Sequence, residues 1–358
     1  MESIYYVLCW HCHRRCKHCY DDRFHPYVRD ELEQVVNEAR LNAPKIIANL
    51  PANMQFLDTD ASTDTPVYRT GRLILSGGDV LTEPVRETVL YPTLEAIRDK
   101  YRDRGGVKVI VQTTGDLLTE KILAELLERG VWSVSAAGMD DYHVGMQDGK
   151  REKLIDKLHN MFTSAGMISM AEHEQRRLSD ADSTPVYTLF GATDESWIGK
   201  LWPRGRAWRN GLSKATMADN FCNAWSGGRG FLEQGRSGSE VSIDPDGNVY
   251  PCCIKTATPL GNLTEEPLAD ILNSVAELPA IQAINQGRPE LMGELDGWQE
   301  ADYLDACHTQ SPTKENYANI CIGCDKFHQE VLGPRLETLR GQRRAKRLGV
   351  IASTGSPV

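Results

Sequence analysis

The chain has 358 residues, 41% hydrophobic and 25% charged, and its 50 acidic against 40 basic side chains give a formal charge of −10. That length allows two domains or one large barrel with an appendage, and a pI near 5.5 lacks the basic footprint of a nucleic-acid binder. No apolar run approaches the ~18 residues of a membrane span, and none follows the start methionine as an export signal would. The ten cysteines are therefore expected in a reducing cytoplasm, where clustered thiols hold metal more often than they form disulfides.

Strand and helix patterns then alternate. "SIYYVL" (3–8) reads as a short buried strand running into "CWHCHRRCKHC". Leu32, Val35, Val36 and Ala39 have helical spacing, with Asp30 as the expected N-cap. The polar "MQFLDTDASTDTPVYRTG" shows no periodicity. "RLILSGGD" is a buried strand ending in a glycine turn, followed by a helix over 92–101. "VKVIVQTTGD" precedes a helix closed by Gly130, and "VWSVSAAG" precedes one closed by Gly166. After the ambiguous "MISMAEHEQRRLSD", "PVYTLFG" completes six strands. This pitch implies right-handed crossovers and a parallel sheet, two strands short of a full barrel. Beyond Gly205 lie glycine-rich turns and six of the ten cysteines, so a boundary is expected near residue 206. "PRLETLRGQRRAKRLGV" reads as a basic surface helix and "ASTGSPV" as a frayed end.

Cys9, Cys12, Cys16 and Cys19 fall within eleven positions. Gaps of three and two residues let Cys12, Cys16 and Cys19 wrap one face of a cubane cluster, leaving the fourth iron open to a small molecule. The competing reading is zinc, held by two Cys-x-x-Cys pairs or by three of these cysteines with His11, His13 or His18. Zinc pairs are usually ~15–20 residues apart, and three residues leave little room for two knuckles. Cys9, on the strand end, reads as a packed thiol.

Placed after the first strand of a parallel series, the triad resembles that of the radical S-adenosylmethionine (SAM) enzymes. The resemblance implies an α/β fold, a partial (β/α)6 TIM-like barrel over 1–205. Cys12, Cys16 and Cys19 would hold a SAM-binding [4Fe-4S] cluster, with His18 in the slot of an aromatic side chain beside the adenine. "SGGD" resembles the family's Gly-Gly-Glu motif, so Gly77, Gly78 and Asp79 would hold the SAM amino group, the carboxylate being one methylene shorter. "TTG" (113–115) resembles a Thr-Asn-Gly motif, and Ser135, ending the fourth strand, is expected near the ribose. "DDYHVGM" falls where related enzymes carry an Asp and a His facing the substrate, which assigns His143 a catalytic role. "PRGRAW" resembles Pro-x-Gly-Arg-Ala, with Arg206 meeting the SAM carboxylate.

"VSIDPDGNVYPCC" reads as a hairpin turning at Pro245-Asp246-Gly247 and delivering Cys252 and Cys253 to opposite faces. With Cys222 before it and Cys321 and Cys324 after it, the order resembles the SPASM or twitch extension of radical SAM enzymes. It implies an auxiliary [4Fe-4S] cluster on Cys222, Cys252, Cys321 and Cys324. The C-terminal cysteine-rich auxiliary-cluster domain would span 206–330, with 331–358 as helix and tail. No cysteine follows Cys324, and the loop from Cys222 is longer than the family shows. A structural zinc on the same cysteines is the alternative. Cys253 and Cys307 are spares, either able to replace a ligand or to return a hydrogen atom to a substrate radical, and Cys253 is the one assigned a catalytic role.

By this resemblance, reduction cleaves SAM to methionine and a 5'-deoxyadenosyl radical, which abstracts hydrogen from a substrate C–H bond. An auxiliary cluster taking a second electron gives net oxidation, and a thiol donor gives epimerisation. Peptide maturation or cross-linking is a further option. A chain starting directly on its first strand, without a leader-binding domain, points to a small metabolite rather than a peptide. A flavodoxin- or ferredoxin-type protein would donate electrons. From a different class, a non-catalytic metal-binding or redox-sensing protein would need neither Gly-Gly-Asp nor a barrel.

Overall fold

A computed structural model of the chain describes residues 1–60, 63–177, 179–180, 182–194 and 196–349. Six parallel strands form the expected half-barrel: β1 (Ser3–Val7), β2 (Arg72–Ser76), β3 (Lys108–Thr113), β4 (Val131–Ala137), β5 (Ile168–Ser169) and β6 (Val186–Phe190). Their order is β1-β2-β3-β4-β6-β5, so the last two stand in reverse of chain order. The reason is length and burial. β5 has only two half-buried residues, whereas β6 buries Val186 and Tyr187 and takes the seat beside β4.

Between strands run α1 (Arg29–Asn49), α2 (Tyr91–Tyr101), α3 (Glu120–Glu128) and α4 (Lys150–Ser164). α1 buries Val36, Ala39, Ala43, Ile46 and Ile47, the single stripe that an amphipathic helix turns to a sheet. Its N-cap is Val28, and Asp30 instead occupies the first turn, where a carboxylate meets the positive end of the helix dipole. The segment expected to lack periodicity contains an antiparallel hairpin, Gln55–Asp60 with Thr65–Thr70. Its cross-strand Arg69–Asp58 pair, at 2.7 Å, explains how so polar a sequence forms strands.

The sheet continues past β1 on its other side. β7 (Glu240–Ile243) pairs parallel with β1, and β8 (Asn248–Tyr250) and β9 (Gly261–Asn262) add antiparallel strands. β8 ends at Tyr250, ahead of Pro251. Cys252 and Cys253 therefore lie in a turn closed by Lys255 N–H donating to the Cys252 carbonyl, and the expected alternation of faces does not apply to them.

Further on come α5 (Leu268–Val275), α6 (Ile320–Phe327) and α7 (Gly333–Arg347). The basic α7 is docked rather than merely exposed. Leu336 is buried, and Arg343 and Arg347 reach the fully buried Glu266 at 2.7 and 2.9 Å. The expected frayed end, 352–358, lies outside the described residues. Burial works to raise the Glu266 carboxyl, but the two guanidinium groups hold it below its usual range. Its stabilising contribution is therefore full above about pH 4.3 and lost as pH falls below that. Glu266→Ala strands two cations and should cost on the order of 3 kcal/mol. Denaturant unfolding at pH 7 measures this, and an unchanged midpoint would mean that the pair does not hold α7.

Candidate active site

Register sets the site. Val7 pairs with Ser76, Gln112 with Ser135 and Ala137 with Phe190, so the C-terminal ends of β1, β2, β3, β4 and β6 open on one side. There they enclose a cavity of about 220 Å³ that opens to solvent and is lined by Cys12, Cys16 and Cys19. Cys9 is not in the lining. It is buried in the main core, its thiol accepting from His11 N–H at 3.5 Å. Burial pushes the Cys12 thiol up to about 12 and Cys19 up to about 11, so metal binding here must displace protons.

The glycines act by close approach. A Cβ on Gly78 would collide with the His11 carbonyl and with Cys12, so the glycine pair seats the cysteine loop directly on β2. Gly77 and Gly78 both line the cavity, but Asp79 does not. It is buried and accepts hydrogen bonds from Thr113 Oγ1 (3.0 Å), Thr114 Oγ1 (2.6 Å) and the Thr114 and Leu81 N–H groups. The shorter carboxylate turns inward and fastens β3 to β2, instead of facing a ligand. Arg206 lines the cavity, yet its guanidinium donates to the carbonyls of Cys16 (2.8 Å), Asp22 (3.1 Å) and Phe24 (2.6 Å). It is a clasp on the cysteine loop, which spends three of its five donors on backbone.

Ser135 is half-buried and outside the lining, whereas Ala137 and Gly138 are in it. Gly138, at φ +142°, lies under the His143 ring. His143 Nδ1 donates to Asp140 Oδ1 at 2.8 Å, and Asp140 also accepts from the N–H groups of Tyr142, His143 and Ala192. Burial works to raise the Asp140 carboxyl, but His143 and the Ala192 N–H hold it well below the usual carboxylate range. It stays ionised and fixes the imidazole tautomer, leaving Nε2 for a ligand. His18 meets the His143 ring edge-on at 4.5 Å. Burial and then His143 push His18 down to about 4, so it is a neutral ring at pH 7.

Sequence reading missed Tyr5 and Gln112. Both line the cavity, and Gln112 Oε1 accepts from Tyr5 O–H (3.0 Å) and Ser76 Oγ (2.8 Å). A glutamine inside the apolar run "VKVIVQT" was the available signal, since a polar side chain in a buried strand needs partners.

The second cysteine set also comes together in space. Cys222, Cys252, Cys321 and Cys324 line one hollow with Arg204, Cys321 and Cys324 being one turn apart on α6. Cys253 and Cys307 stay out. Cys253 is buried against Ala215, Phe221 and Ile254, and Cys307 donates its thiol proton to the Tyr303 carbonyl at 3.2 Å. A zinc held by thiolates at 2.3 Å needs sulfurs about 3.8 Å apart. Among the described residues, only His18–Asp140–His143 and His13–Asp79–Asp116 bring three ligand atoms within 4.8 Å of one another. Neither contains a cysteine, so no three thiols of either set lie within 4.8 Å of one another.

No curated protein matches the chain significantly. Solved structures that resemble it include BtrN in complex with AdoMet and 2-DOIA, 16% identical over 80% of this chain and 89% of that one, TM-score 0.41. Native anSMEcpe with bound AdoMet and Cp18Cys peptide is 12% identical over 95% and 99%, TM-score 0.42. Streptococcus suis SuiB bound to S-adenosylmethionine is 9% identical over 82% and 67%, TM-score 0.30. Residues 236–293 match SPASM, an iron-sulfur cluster-binding domain. That stretch holds Cys252 and Cys253 and the hairpin leading to them, while Cys222, Cys321 and Cys324 reach the same hollow from outside it. Over residues 236–293, then, the chain is similar to the SPASM iron–sulfur cluster-binding domains.

Proposed function

We propose that the chain is a radical SAM enzyme that carries out net oxidation of a small metabolite. The observation that carries this reading is the cavity wall itself. Three loop cysteines face an open cavity at the strand ends, seated on a glycine pair that admits no side chain at Gly78. Soft thiolates at this spacing suit an iron–sulfur cluster. By this reading Cys12, Cys16 and Cys19 hold the first cluster, and Cys222, Cys252, Cys321 and Cys324 hold the auxiliary one. When bound, SAM and the two clusters supply a hydrogen-abstracting radical and an acceptor for a second electron.

The protein's own residues do the rest. His18 offers a neutral aromatic face, and Arg206 holds the loop that carries Cys16 and Cys19. Oxidising a carbon that bears a hydroxyl also releases a proton, and His143 Nε2, with Asp140 behind it, is placed to take it. Cys253 lies outside the cavity lining, which supports oxidation over epimerisation. Phe190, Ala192, Ile198 and Leu201 add apolar surface to the cavity lining.

The test is anaerobic reconstitution followed by dithionite reduction with SAM. The reading expects about eight irons per chain and release of 5'-deoxyadenosine. Iron–sulfur absorbance without 5'-deoxyadenosine would leave a redox protein and remove the enzyme.

A further inference from the structure

Arg204 stands among the cysteines of the second hollow, where its Nη2 donates to the Cys321 carbonyl at 3.3 Å. The same nitrogen lies 2.6 Å from Asp325 Oδ1, and the two side chains are only 16% and 25% exposed. A guanidinium keeps its charge at any working pH, and the Asp325 carboxyl is the acidic group facing it. Of the other charges nearby, Glu290, which acts on Cys222, is paired with Arg288 at 2.9 Å. Lys255, the other cation lining the hollow, is bound to Asp21 at 2.9 Å. His328, one turn beyond Cys324, is fully buried, and burial and then Arg204 push it down to about 3. It is neutral.

We infer that the Arg204–Asp325 ion pair sets the reduction potential of the auxiliary cluster, Arg204 raising it and Asp325 lowering it. This rests on the reading that Cys222, Cys252, Cys321 and Cys324 hold a [4Fe-4S] cluster. Reduction of that cluster adds one electron and breaks no bond, so the reduced form carries one more negative charge. A cation within a few ångströms stabilises the reduced form and an anion opposes it, and partial burial limits screening by water. Because the two charges sit side by side, removing one unmasks the other. The potential in turn decides which substrate radicals can hand on their electron.

The experiment is a potentiometric titration with dithionite, followed by electron paramagnetic resonance, on the full chain carrying Cys12, Cys16 and Cys19→Ala. Only the auxiliary cluster then reports. Arg204→Gln should disfavour reduction at least tenfold, a downward shift of about 59 mV for a one-electron couple. Asp325→Asn should shift the potential upward, and Arg204→Lys should stay near the parent. A structural role would not move the two neutralising variants in opposite directions. If a cluster is present and they leave its potential unchanged, or move it the same way, the inference is overturned. If Arg204→Gln fails to hold a cluster, Asp325→Asn still decides, by whether its potential rises. No iron–sulfur signal in the parent overturns the ligand reading itself, and the inference with it.

Discussion

Cys12→Ala is expected to abolish reductive cleavage of SAM, while Cys9→Ala leaves it within a few-fold of the wild type. The two thiols are three residues apart and both buried, so burial alone does not separate them. What does is direction. Cys12 faces the cavity with Cys16 and Cys19, and Cys9 faces the core behind β1. A cubane held by three thiolates does not tolerate the loss of one, whereas Cys9→Ala removes one sulfur from a packed site, at a cost of about 1–2 kcal/mol in stability. Iron analysis gives the second readout. The triple variant lacking Cys12, Cys16 and Cys19 should keep about four of about eight irons. If Cys9→Ala loses the cluster while Cys12→Ala retains it, the assignment of the triad is wrong.

The second large effect belongs to the His143–Asp140 pair. With an accepted substrate, His143→Ala should cut product formation by about 10²–10⁴-fold, the range that a positioned base supplies. Formation of 5'-deoxyadenosine should continue, because the cysteine triad keeps its thiols, although the His18 ring loses its edge-on neighbour at 4.5 Å. Asp140→Asn should follow the same pattern. The amide no longer offers two acceptor oxygens to Ala192, Tyr142 and the imidazole, and the ring loses its fixed tautomer. The measured quantity is the ratio of product to 5'-deoxyadenosine. A fall in both together would place the pair in the SAM site rather than at the substrate.

Much of this site was legible in the sequence because its parts are local. Cys12, Cys16 and Cys19 share one loop, Cys321 and Cys324 share one helical turn, and Gly77–Gly78 is one turn at a strand end. Spacing alone brings such residues together. What escaped depended on partners far away in the chain. Asp79 looked free to face a ligand, and only the neighbouring ends of β2 and β3 show that Thr113 and Thr114 claim both its oxygens. Arg206 was expected at a carboxylate and instead reaches carbonyls more than 180 residues earlier. Tyr5 and Gln112 come from adjacent regions of the sheet, and no short window of sequence contains both. The reversal of β5 and β6 was invisible for a related reason, since seating in a sheet is settled by competition between strands.

The pairing of β7 with β1 has a consequence for any attempt to divide the chain. In the whole protein β1 is an interior strand, bonded to β2 on one side and β7 on the other. Expressed without residues beyond 205, the front portion would leave Ser3–Tyr6 unpaired on the side that β7 covers, in a strand whose Ile4 and Tyr6 are wholly buried. A long unpaired border of that kind recruits strands from other molecules. The excised half would therefore be a candidate for self-association, and its failure to fold cleanly would say nothing about the chemistry of its cysteines.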